Sequence, residues 1–292
     1  MTEQEKRTLE YDRFGPWVYE ITGPDEVPAA FESAVHLGSN TRMAFKIPRQ
    51  VERRTVRPED DLYTQVIVLG ETDVSIHELA GTGVDTTTVA YRDLVAVSSL
   101  HDLLYGELRL YANGPPISIS YNTVSDHLIQ SAIDVIRSAR REAVGPAAVD
   151  APFTRAPDAV AEGKMEHLFG GLVHQERRAH PVVVRAYEPA GVLEKRDPRV
   201  TERLLDLIRR ERRRPVLILE TQEGLVIYHG APQVTRFGRG NYGYQRTELW
   251  DATVAQAIME EDDRYVASRR VHLSAGGHHF EYNVSEGFEL AG

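Results

Sequence analysis

Five basic side chains crowd one short stretch of the chain: Lys46, Arg49, Arg53, Arg54 and Arg57. Such a local patch can draw a protein to anionic lipid or to an acidic ligand even when the whole chain is acidic. Glu52, Glu59, Asp60 and Asp61 are interleaved with it, so exposed arginines balanced by neighbouring carboxylates are the simpler expectation. A second candidate is the pair His272 and His279, which face each other if residues 274–277 form the last turn. Two imidazoles on one sheet face can bind Zn²⁺ or Ni²⁺ with a third ligand such as His229 or Glu281. Spacing fixes no third ligand, so a solvated pair and no bound metal are expected.

The other candidates are weaker still. GRGNYG, residues 238–243, has glycines, but a phosphate cradle needs a helix after it, and strand text follows. The acidic run 260–263 lacks the alternating oxygens and turn glycine of a calcium loop and reads as a solvated turn. The arginines from Arg209 to Arg214 suit the C-terminal end of a helix better than a nucleic-acid patch. His167, His174 and His180 do not match a zincin helix. No Gly-x-Ser-x-Gly elbow occurs, and no Ser/His/acid set stands out. With no cysteine in 292 residues, thiolate metal sites, thiol nucleophiles and disulfides are excluded. The expectation is a non-enzymatic protein without a cofactor.

The net charge of -10 argues against general nucleic-acid binding, which needs a basic face to neutralise phosphates. MTEQEKRTLEYDRF carries no apolar leader core, and no apolar run approaches the ~18–20 residues of a membrane span. A soluble, cytoplasmic protein is expected.

Strands dominate the reading of elements. Residues 1–10 are charged and expected to fray, whereas Tyr11, Phe14, Trp17 and Tyr19 are too many rings for a tail and should dock on a core. RMAFKIP and residues 51–56 read as a strand pair, followed by DLYTQVIVLG, DVSIHEL, TTTVAY and DLVAVSSL. Residues 103–141 then read as a hairpin around Asn113-Gly114-Pro115-Pro116 running into an amphipathic helix. That helix has Thr123 as N-cap and Asp126 as its capping-box partner. Val124, Leu128, Ile129, Ala132, Ile133 and Ile136 form its apolar face. A Pro/Ala-rich linker covers 144–163. After it come short helix or turn text, a helix over 200–213 stopped by Pro215, and strands to the end.

The two halves echo each other. LRLYANGPPISISYNTVSD aligns with RRVHLSAGGHHFEYNVSEG, and QVIVLGETDVSIHE with PVLILETQEGLVIYHG, in the same order. Antiparallel strands, an aspartate-led strand, a last hairpin and a closing helix make one copy. This pattern resembles the pleckstrin-homology (PH) superfold, particularly the bacterial PH-like domains. The resemblance implies an α+β chain of two antiparallel PH-like barrels or sandwiches. The first would be capped by its C-terminal helix, the second by the helix preceding its strands. The expected organisation is an N-terminal extension at 1–39 docking on a PH-like domain at 40–143, the linker, and a second PH-like domain at 164–292.

By the same resemblance the chain would act as a binding or scaffolding protein. Its partner would be a protein or peptide, taken at a sheet edge or open barrel end, and self-association into an oligomer is expected. In lipid-binding PH domains a basic motif on the first two strands holds phosphoinositide phosphates. Its spacing of lysine, a basic residue, any residue, then arginine is not reproduced between Lys46 and Arg57. Peripheral lipid binding therefore stands as one alternative, and an enzyme or small-ligand site between the domains as another.

Overall fold

The computed structural model describes residues 2–81, 83–145, 165–198, 211–230, 243–250 and 258–289. The chain is α+β, with antiparallel sheets and few helices, and no sheet closes into a barrel among the described residues. It divides into two compact units. The first comprises Met1–Leu94, Leu103–Ala112 and Pro116–Pro146, and the second Val95–Asp102, Asn113–Pro115 and Ala147–Gly292.

The first unit opens with a helix, α1 (Glu3–Arg13), where a frayed tail was expected. A capping box forms it: the Thr2 side chain accepts from Glu5 N–H while the Glu5 carboxylate accepts from Thr2 N–H. Tertiary ion pairs Lys6–Glu32 and Arg7–Asp61 hold the helix down. A five-stranded antiparallel sheet follows in simple order: β1 (Tyr19–Glu20), β2 (Met43–Pro48), β3 (Tyr63–Leu69), β4 (Asp73–Ala80) and β5 (Gly83–Ala90). Phe14, Ile21, Val27, Phe31 and Val35 pack with Ala44, Val56, Leu62, Tyr63 and Val66. Residues 51–56 are not a strand. They hold a single 3₁₀ turn at Arg53–Thr55, and β2 takes β1 and β3 as its strand neighbours instead.

The next strand, β6 (Ala96–Asp102), belongs to the second unit. The chain then returns to the first with the hairpin β7 (Tyr105–Tyr111) and β8 (Ile117–Asn122). The helix α2 (Asp126–Val144) buries Leu128, Ile129, Ala132, Ile133, Ile136 and Ala139, whereas Val124 is exposed. Its start differs from the expected capping box. Asn122 caps a preliminary 3₁₀ turn at Thr123–Ser125, and the Asp126 carboxylate instead accepts the Tyr121 hydroxyl at 3.1 Å. Arg140 ties the far end by donating to the Leu94 carbonyl.

The second unit begins with α3 (His167–Ala179) and continues through β9 (Val183–Glu188), β10 (Gly191–Val192), β11 (Arg212–Arg213), β12 (Val216–Thr221), β13 (Gly224–Gly230) and β14 (Tyr244–Leu249). β6 joins β14 here, giving the antiparallel order β6-β14-β13-β12-β9. A separate sheet holds β15 (Ile258–Glu261), β16 (Ser268–Ala275) and β17 (His278–Ser285). Phe169, Leu172 and Val173 of α3 pack on Val184, Leu217, Leu219, Val226 and Tyr228. Among the described residues α3 is therefore the helix that covers this sheet. Most of the helix expected over 200–213 lies outside the described residues, and Arg212–Arg213 pair as β11 with β10. The GRGNYG loop up to residue 242 and the linker from 146 also lie outside them.

Candidate functional site

The first unit contains an open cleft of about 440 Å³. One wall is the end of β2 and the chain after it, from Ile47 to Glu52; the other is Ser120, Tyr121 and Asn122 at the end of β8. Pro16, Leu104 and Tyr105 complete the lining. The walls are built differently. Ile47 and Tyr121 are buried core residues, and the Tyr121 hydroxyl is anchored on Asp126. Leu104, Tyr105 and Val51 are exposed large apolar residues, as is Leu103 beside Leu104; Trp17, next to the lining Pro16, and Val124, two residues past Asn122, are exposed too. Scattered single apolar residues on a surface are ordinary, whereas several grouped at one cleft are less so.

The connection Leu103-Leu104 between β6 and β7 is the most exposed apolar part of this rim, at 75% and 65%. Leu103 adopts φ +54°, a left-handed conformation that an L side chain takes at roughly 1 kcal/mol. Its neighbours hold it there: the Thr123 hydroxyl donates to the Leu103 carbonyl, and the Thr123 N–H to the Leu104 carbonyl at 3.2 Å. Two leucines thus stand in solvent on a braced turn where glycine or asparagine would be unstrained. That mismatch was visible in the sequence, since apolar residues sit at a two-residue strand connection.

The basic cluster does not assemble as one face. Lys46 is buried, its ammonium donating to the Glu26 carbonyl at 2.7 Å and lying 4.7 Å from the Tyr63 ring centroid. Burial pulls its pKa below the usual lysine range and outweighs the attraction of Glu10 and Glu26. Arg53 donates to the Tyr11 and Asp12 carbonyls at the end of α1, and Arg54 pairs with Glu52 at 2.7 Å. Arg57 is exposed beyond the 3₁₀ turn. Arg49 alone of the five lines the cleft, and its guanidinium has no ion pair among the described residues.

The last hairpin separates the two candidate metal ligands. Its turn is the two-residue Gly276-Gly277, both at positive φ, rather than 274–277. Ser274 therefore opposes His279, and His272 opposes Glu281. His272 lies 3.3 Å from Glu281, His279 hydrogen-bonds Ser274, and His229 packs on the Tyr282 ring. No group of three or more metal-ligating side chains is placed to hold an ion among the described residues. The acidic run 260–263 is only partly a solvated turn. Asp262 is fully buried and accepts from Arg264, with Arg270 at 3.5 Å.

The second unit holds a network that sequence spacing did not suggest. Arg246 is buried and donates to Glu176 at 2.7 Å, to the Tyr228 hydroxyl at 3.1 Å and to Glu248. Tyr228 donates to Glu176, and the Trp250 indole to Glu248 at 3.0 Å. Burial would raise the Glu176 carboxyl, but the Arg246 charge and the hydrogen bonds from Arg246 and Tyr228 bring it below its usual value. Closed off from water, this network locks α3 onto β13 and β14 and presents no group to a ligand. No family model matches the chain, and neither a curated protein nor a solved structure does.

Proposed function

We propose that the chain is a non-enzymatic binding protein whose first unit receives part of a protein partner in the cleft beside Leu104 and Tyr105. The observation that carries this reading is the braced Leu103-Leu104 turn, which keeps two leucines in water at the cleft rim. Covering each would contribute about 1.5–3 kcal/mol to an association. The order of strands supports a PH-like design for each half. Among the described residues the meander β2 to β5 precedes β6 to β8 and α2, and the meander of β9, β12, β13 and β14, with the short β10–β11 pair inserted after β9, precedes β15 to β17. Such a scaffold serves many functions, so the site and not the fold has to carry the reading. Buried Lys46 and the dispersed arginines speak against the lipid alternative.

Affinity purification from the native cell, with wild type and Leu104→Asp in parallel, tests the proposal. A partner retained by the wild type and lost from the variant, at unchanged thermal melting, is expected. Identical retention by both proteins would refute it.

A further inference from the structure

The cleft is bordered by strand edges as well as by apolar side chains. β8 pairs with β7 and with no other strand among the described residues. Across the cleft, β1 pairs with β2 only at Phe45 and Lys46, so Ile47 and Pro48 have no strand neighbour on that side. Outward-facing backbone groups of an edge strand are unpaired donors and acceptors, and an extended segment satisfies them better than a folded surface does. The volume suits one or two large apolar side chains; it lies near the small end of the roughly 300–1,000 Å³ typical of ligand pockets. Charge then narrows the choice. Glu52 is already paired with Arg54, which leaves the unpaired guanidinium of Arg49 as the free charge at the lining.

The geometry points to a specific occupant: an extended peptide segment that adds to the edge of β8. It places an apolar side chain in the cleft and a carboxylate on Arg49. This deepens the preceding proposal and rests on it. Side chains on one face of a strand recur every second residue, so anchor and acid stand two positions apart. An acidic-apolar segment of another protein meets these demands. A membrane surface does not, because it offers no backbone to the edge.

The test is selection of a displayed library of random linear peptides on the full-length protein, subtracted against Leu104→Asp. Enriched peptides should share an apolar residue and an acid two positions apart. Arg49→Glu should weaken them about tenfold, the loss of one charge-assisted hydrogen bond, and an acid-to-lysine exchange in the peptide should restore binding to that variant. N-methylation of the peptide backbone along its pairing side should abolish binding. Peptides that need Leu104 but show no acid preference and tolerate N-methylation would overturn this inference while leaving the cleft as a partner site. A concentration-dependent dimer broken by Leu104→Asp would also overturn it, by making a second copy the occupant. No enrichment, together with no partner lost from Leu104→Asp in the purification, would sink both proposals.

Discussion

The ring of Tyr121 fills the space that a Cβ on its cross-strand partner Gly106 would need: a methyl carbon there would meet three ring atoms at 2.4, 2.6 and 2.8 Å. This close approach seats the aromatic that forms one cleft wall, and it makes glycine a packing requirement. Gly106→Ala should destabilise the first unit by about 1–3 kcal/mol, as overpacking does. Urea unfolding followed by fluorescence measures this. Adding Tyr121→Leu should recover part of the loss; no recovery would mean that the ring is not the obstacle.

Arg246 stands between two buried carboxylates. Arg246→Met leaves Glu176 and Glu248 buried without their cation, and a loss of about 3–5 kcal/mol is expected. The wild-type dependence on pH has a definite sign. Glu176 is held below its unfolded value of 4.5, so its contribution is present above that pH and disappears as pH falls through the lower folded value. Arg246→Met should lose this acid sensitivity and become relatively more stable towards acid, as chemical denaturation between neutral pH and pH ~3 will show.

His229 gives the second unit a further response to pH. Burial first, and the Arg214 charge second, lower its pKa from 6.5 to about 4. The unfolded chain takes up this proton before the folded one, so stability falls as pH drops from 6.5 to about 4, by on the order of 3 kcal/mol. His229→Phe should flatten that part of the profile in thermal melts. His77 of the first unit is shifted in the same direction by burial and His36, so its share of the slope should persist.

Arg53 donates to the last carbonyls of α1. A cation at a helix C-terminus contributes about 0.3–1 kcal/mol. Arg53→Ala should therefore speed amide hydrogen exchange in α1 while leaving β2 and β3 unchanged. Equal protection in both proteins would show that Lys6–Glu32 and Arg7–Asp61 hold the helix without it.

Elements were legible where the signal is local. The β7–β8 hairpin and α2 follow from alternation, turn residues and a helical apolar stripe in one continuous stretch. The α1 helix had its signal too, the Thr2–Glu5 capping box, which its heavy charge obscured. The last hairpin was misregistered because Gly276-Gly277 alone suffices as the turn; that change of register moved His272 from His279 to Glu281. The candidate site was hardly legible. Its lining comes from Pro16, residues 47–52, Leu104 and Tyr105, and residues 120–122, which no spacing rule connects.

By itself the sequence determined an α+β chain of antiparallel hairpins, the span of α2, and the exclusion of thiol chemistry. These depend on composition and on neighbours within a few residues. Tertiary structure decided the rest. It turned Lys46 inward, sent Ala96–Asp102 to pair in the second unit, and gathered two carboxylates around Arg246. It also set Arg49, but not its basic neighbours, at the cleft. Burial, strand pairing and charge compensation act between residues distant in the chain, so they emerge only once the backbone has brought those residues together.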